Sequence, residues 1–266
     1  MLKTTVLLTL LAGLLLAATA WAVAPSDQAA KRADATCRAL RQSGPAAFTQ
    51  AWGTLGRCVS SLARVEQQNL DSAQAACTAE QADANFAAAH GEKTFAQFYG
   101  LGPTGKNAFA RCVSAKARAS SQAEGQSRPN PARLCVAART AMTPGPFSSF
   151  YGKNANDRNA FGKCVATMAH AEVQNELSAA AACRAEQADA AFAAAHASKT
   201  FAQFYGTDDL ANAFGKCVAG KAKAKTQAQQ QATIAAVKAC AAERRANRAA
   251  FATKYGTFRT CVLQNS

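Results

Sequence analysis

Apolar and small residues recur at helical spacing along almost the whole chain, and the same pattern returns five times. Each return opens on a helix-like segment around a cysteine: ADATCRAL, SAQAACTAEQADANF, ARLCVAART, AAACRAEQADAAF and VKACAAERRANRAAF. An aromatic residue and its i+4 partner follow on one helical face: Phe48 and Trp52, Phe95 and Tyr99, Phe147 and Tyr151, Phe201 and Tyr205, Phe251 and Tyr255. Glycine comes next, at Gly53, Gly100, Gly152, Gly206 and Gly256, where a helix is expected to end in a left-handed residue. A second helix is expected to begin near Asn107, Asp157, Asp208 or Thr257, residue types that cap N-termini. It carries a second cysteine within AFARCV, AFGKCV, AFGKCV or TFRTCV, with TLGRCV the loosest version. Phe109, Phe161, Phe214 and Phe258 precede that cysteine by one helical turn, Leu55 takes the place in the first unit, and a valine always follows it.

This periodicity predicts an all-α fold, an array of five disulfide-stapled helical hairpins joined by long shared helices. Nothing interrupts the helical pattern between Cys58 and Cys77 or between Cys164 and Cys183, so the second helix of one unit should become the first of the next. The one clear break is the stretch 125–131, with two prolines. It divides units 1–2 (23–124) from units 3–5 (132–266). Segments 70–112 and 177–217 share AEQADA, FAAAH and KTFAQFYG, which suggests duplication of a two-unit block.

The composition sharpens the picture. An alanine-rich chain has high helix propensity and low strand propensity, but its helices bury little apolar area each. Cysteines are the natural supplement. Residues 1–22 read as a secretory signal peptide: Lys3, an apolar run from Val6 to Ala18, and the small-x-small pattern Ala20-Trp21-Ala22. Cleavage after Ala24 is the alternative and would leave Pro25 at the terminus. The apolar run is shorter than the ~20 residues a bilayer span needs, and no second one follows, so no transmembrane segment is expected in the mature chain. The protein is expected to be secreted, or periplasmic and associated with the cell envelope.

In an oxidising compartment the ten cysteines read as five disulfides. Zinc is a weaker reading, since C-x-x-C and C-x-x-H are absent from the sequence, and thiol exchange is weaker still. A continuous helix would hold Cys58 and Cys77 roughly 28 Å apart, well beyond the roughly 7 Å that a disulfide spans between Cα atoms. The same holds for Cys164 and Cys183. Pairing within each unit, Cys37/Cys58, Cys77/Cys112, Cys135/Cys164, Cys183/Cys217 and Cys240/Cys261, uses one local geometry five times.

Charge comes last. Thirty Lys and Arg against sixteen Asp and Glu give a net charge of +14. Lys221, Lys223 and Lys225, with Arg244, Arg245 and Arg248, are the candidate anion-binding residues. The partner they suggest is an anionic polymer: wall phosphate polymer, acidic polysaccharide or nucleic acid. A solvated surface that only keeps the chain dissolved is the competing reading. Glu80, Asp83 and His90 recur as Glu186, Asp189 and His196, on one side of an expected helix. On that helix Asp83 and His90 would lie ~10 Å apart along the axis, too far to share an ion, so solvated surface is the simpler reading. His170 stands alone and reads as structural or exposed. The aromatic pairs could stack on sugars or bases, although their recurrence beside the cysteines favours a core role. The sequence contains no G-x-S-x-G, Gly-rich phosphate loop or H-E-x-x-H. We therefore expect no catalytic residue, metal site or cofactor.

At AFGKCV and FAQFYG the chain resembles an uncharacterised group of secreted bacterial alanine- and cysteine-rich repeat proteins. Asn212 to Val218 and Cys183 to Glu186 carry the likeness best; Trp52, Leu55 and Thr260 depart from it. The resemblance implies export and repeat structure and no particular activity. The expected function is that of a basic, non-enzymatic helical-repeat protein binding anionic envelope or extracellular polymers. A passive spacer is the alternative, and a hydrolase or metal-dependent enzyme a more distant one.

Overall fold

The computed structural model describes residues 24–152, 159–206 and 212–266. The segment 1–22, expected to be a leader, lies outside them, as do Asp157 and Asp208. Fourteen helices follow one another among the described residues. The first six are α1 (Asp27–Ser43), α2 (Pro45–Trp52), α3 (Leu55–Ala82), α4 (Phe86–Ala89), α5 (Phe95–Tyr99) and α6 (Ala108–Ser127). Then come α7 (Pro131–Met142), α8 (Pro144–Tyr151), α9 (Ala160–Ala188), α10 (Phe192–Ala195) and α11 (Phe201–Tyr205). The last are α12 (Ala213–Ala246), α13 (Arg248–Tyr255) and α14 (Phe258–Asn265). No strand accompanies them among the described residues, only an isolated bridge between Leu101 and Lys106.

Local chemistry sets these boundaries. Thr54 and Thr257 cap α3 and α14 by accepting from the amides of Arg57 and Thr260. Asn130 accepts from the amides of Ala132 and Arg133 and, with Pro131 at the first helical position, starts α7. Asn107 occupies the N-cap of α6 but makes no side-chain cap bond and has φ 60°. Asn159 and Asn212 hold the equivalent places before α9 and α12.

The glycines divide into two kinds. Gly53 (φ 72°) and Gly256 (φ 69°) are left-handed, because only two residues connect α2 to α3 and α13 to α14 and the chain must reverse at once. Gly100, Gly152 and Gly206 have φ near −70°, contrary to the left-handed caps expected there; seven or eight residues separate each preceding helix from the next, so no immediate reversal is demanded of the glycine. Gly100 is still required. A Cβ there would lie 2.3 Å from the Ala96 carbonyl oxygen and 2.4 Å from Gly105 Cα.

Five disulfides join Cys37 to Cys58, Cys77 to Cys112, Cys135 to Cys164, Cys183 to Cys217 and Cys240 to Cys261, with Cα separations of 5.9–6.1 Å. The long helices α3, α9 and α12 each carry cysteines of two different bridges. These helices do not run out as a line. α3 packs on both α6 and α9, and α12 packs on the same two, which closes a four-helix ring; α1 lies outside it against α3. Residues 125–127 belong to α6, so the break narrows to 128–130. The largest apolar core takes Phe48, Trp52 and Leu62 from one side of that break and Phe147, Val165 and Val262 from the other. Smaller cores surround Cys77 with Phe86 and Phe95, and Cys183 with Phe192 and Phe201.

Candidate functional site

Three of the first cysteines are followed one turn later by a glutamate, and each glutamate has the same use. Glu80 accepts from the Tyr99 hydroxyl at 2.9 Å and pairs with Lys116 at 2.7 Å. Glu186 does so with Tyr205 at 2.9 Å and Lys221 at 2.9 Å, and Glu243 with Tyr255 at 3.1 Å and Lys254 at 3.0 Å. The carboxylate thus ties the aromatic turn to the helix that bears the bridge. Burial raises the Glu186 carboxyl, but the hydrogen bonds from Lys221 and Tyr205 outweigh it and leave the group below its usual range.

This clasp removes Lys221 from the free basic surface. Lys223 and Lys225 are exposed, and Lys225 donates to Ser178 Oγ at 3.0 Å. Arg245 and Arg248 are exposed, while Arg244 lies over the Phe258 ring, 5.8 Å from its centroid. Lys221, Lys223 and Lys225 lie in the first half of α12 and Arg244 and Arg245 at its end, roughly 30 Å apart along the axis, and Arg248 begins α13. The structure does not bring the six residues into one patch.

Asp83 and Asp189, expected inside a helix, end one instead. Each accepts from an amide two residues on, Asn85 N at 2.9 Å and Ala191 N at 2.8 Å, a local turn that competes with the helical ladder. Glu80 and His90 therefore sit on separate elements. His90 Nδ1 lies 2.8 Å from the Phe86 carbonyl and its ring stacks on Phe86 at 3.9 Å; His196 repeats this on Phe192. His170 is exposed and edge-on to Trp52. No group of three or more His, Cys, Asp or Glu among the described residues could hold a metal ion.

The centre of the ring holds something the sequence reading missed, a buried polar seam. Arg32 from α1 donates to Glu66 Oε2 at 3.0 Å and to Ser121 Oγ at 3.0 Å; Ser121 donates to Glu66 at 2.8 Å. Asn69 Nδ2 reaches Glu124 at 3.0 Å. Arg128 grips Glu176 through two bonds of 2.8 Å. Asn175 donates to Thr226 at 3.0 Å. Burial, then the neighbouring Glu176, pushes the Glu124 carboxyl well above the carboxylate range. Glu172 is pushed up to about 8 by burial, against the pull of Arg128.

A signal for this seam exists. Glu66 and Asn69 stand eight and eleven residues after Cys58, and Glu172 and Asn175 stand at the same distances after Cys164. Both pairs fall on the stripe that also carries the bridging cysteines.

No family model, curated protein or solved structure matches the chain.

Proposed function

We propose that the protein is a secreted or envelope-associated, non-enzymatic scaffold of five disulfide-stapled helical units that binds anionic polymers. One observation carries this reading. Among the described residues twenty Lys and Arg are exposed, against five Asp and Glu. The protein draws its acids inward: Glu66, Glu124, Glu172 and Glu176 are buried in the seam, while Glu80, Glu186 and Glu243 are committed to clasps. The outer face is therefore more cationic than the composition alone requires. Cations spread over the surface suit a long, charged, sequence-tolerant ligand better than a compact one. Export through a leader at 1–22 and membership of a repeat group with AFGKCV units belong to the same reading, supported by five disulfides with no free cysteine among the described residues. No helix among the described residues is long and apolar enough to cross a membrane.

A salt series tests the proposal. The oxidised protein is applied to immobilised heparin, teichoic acid and DNA, and its affinity is read from about 50 to 200 mM salt. Counterion release predicts a fall of several orders of magnitude if six or more charges are engaged. Replacing Lys223, Lys225, Arg245 and Arg248 by Gln should shallow the slope. Absence of retention at the lowest salt would leave the passive spacer in its place.

A further inference from the structure

α1, α2, the 128–130 connection and α9 enclose an open cleft of about 470 Å³, a volume typical of small-molecule sites. Its walls are apolar, led by Leu40, Phe48, Trp52 and Val165, and among the described residues the only charged side chains that line it are Arg128 and Glu172. The Glu172 side chain is 5% exposed, and its Oε1 has no hydrogen-bond partner. The nearest cation, Arg128 Nε, lies 3.7 Å from that oxygen, too far for a hydrogen bond, and is already donating to Glu176. Four carboxyls in the seam (Glu66, Glu124, Glu172, Glu176) face two guanidinium groups (Arg32, Arg128). Arg32 is taken by Glu66 and Arg128 by Glu176, so Glu172 is left without a cation of its own at the point where the cleft meets the seam.

We infer that this cleft binds a small organic ammonium compound, with its apolar body against Leu40, Phe48 and Trp52 and its nitrogen paired with Glu172. The chemistry favours a cation. Aromatic walls beside a carboxylate attract ammonium groups through the ring quadrupole as well as through charge, and the apolar body gains by leaving water. A carboxylate ligand would add a fifth acid to an interior whose two guanidinium groups are already engaged by Glu66 and Glu176. This inference is independent of polymer binding, which uses the outer face.

Burial keeps Glu172 protonated at neutral pH. Binding of the ammonium ionises the group and releases its proton to solvent. The groups that face Glu172 are Arg128 and Glu124 from the end of α6, Glu176 on α9 and Lys223 from α12, all lining the small void behind it. The parts of α1 and α2 that line the cleft bring no charged side chain.

The test is a titration of phenethylammonium into the oxidised full chain. Trp21 is replaced by Phe, which leaves Trp52 as the one tryptophan and fluorescence reporter. Calorimetry in two buffers counts protons. We expect saturable binding, release of one proton per ligand, and affinity rising about tenfold per pH unit between about pH 6 and 7.5. The anionic analogue 3-phenylpropionate should bind at least about tenfold more weakly, which corresponds to about 1.4 kcal/mol. Glu172→Gln should lose the pH dependence and at least about tenfold in affinity. Ala39→Trp, which fills the cleft from its exposed rim, should block both compounds. Circular dichroism establishes that each variant is folded. Should Glu172→Gln fail to fold, the proton count and Ala39→Trp decide. The inference is overturned by absence of saturable binding at millimolar phenethylammonium, by equal binding of the anion, by a pH-independent affinity, or by binding that survives Ala39→Trp.

Discussion

Two glycines in identical phrases show how one atom separates structural roles. A Cβ on Gly215 would come within 2.4 Å of Ser120 Cα and 2.5 Å of its carbonyl oxygen, because α12 and α6 nearly touch there. At Gly162, in the other AFGKCV phrase, a Cβ would meet nothing within 4 Å. Gly215→Ala should therefore destabilise the protein by about 1–3 kcal/mol through overpacking. Gly162→Ala should be neutral or stabilising by up to about 1 kcal/mol through helix propensity. Denaturant melts of the two variants would settle it, and equal effects would contradict the close approach. Glu172 supplies a pH dependence. Its folded value, about 8, lies above its ordinary value of 4.5, so the native state holds the proton more tightly than the unfolded chain. The stability this confers is complete below about pH 4.5 and is lost as pH rises through about 8, at about 1.4 kcal/mol per unit of separation. Glu124 acts in the same direction. We expect unfolding free energy to decline from pH 5 to 8, and Glu172→Gln to flatten the decline; a profile level over that range in the parent protein would refute the assignment.

At the level of elements, the sequence pattern was informative wherever the controlling interaction is local. Alanine-rich periodicity, proline at 129 and 131, and aromatic pairs beside cysteines locate helices and turns because each depends on near neighbours. The long helices could be read from the uninterrupted stretches between Cys58 and Cys77 and between Cys164 and Cys183, and α12 extends the same design between Cys217 and Cys240. What could not be read depends on distant partners. Glu172 in an alanine-rich helix looks like any solvated glutamate until Arg128, forty-four residues earlier, is placed beside it. The Asp83 and Asp189 turns were hidden for another reason, since an aspartate compatible with the helix period can still divert the backbone to its own side chain. The bridges give a quantitative test at this scale. Replacing Cys183 and Cys217 together by Ala opens a loop of 34 residues and should cost about 4 kcal/mol; the same change at Cys37 and Cys58, with 21 residues, should cost about 3 kcal/mol. Chemical denaturation of the two variants measures the difference, and a larger loss for the shorter loop would contradict the chain-entropy account.

Across the whole molecule the bridges form two covalent groups. One links α1, α3 and α6; the other links α7, α9, α12 and α14. A protease that cuts within any bridged loop leaves both ends tethered through sulfur, so the nick releases no fragment. Between one bridge and the next the described backbone is helical, and hence poorly suited to a protease cleft, except at 128–130. That short stretch is where a single cut would part the two groups. Its basic residue is followed by Pro129 and is pinned by two bonds to Glu176. The ion pair between Arg128 and Glu176 thereby also guards the one described non-helical segment that lies between one bridge and the next.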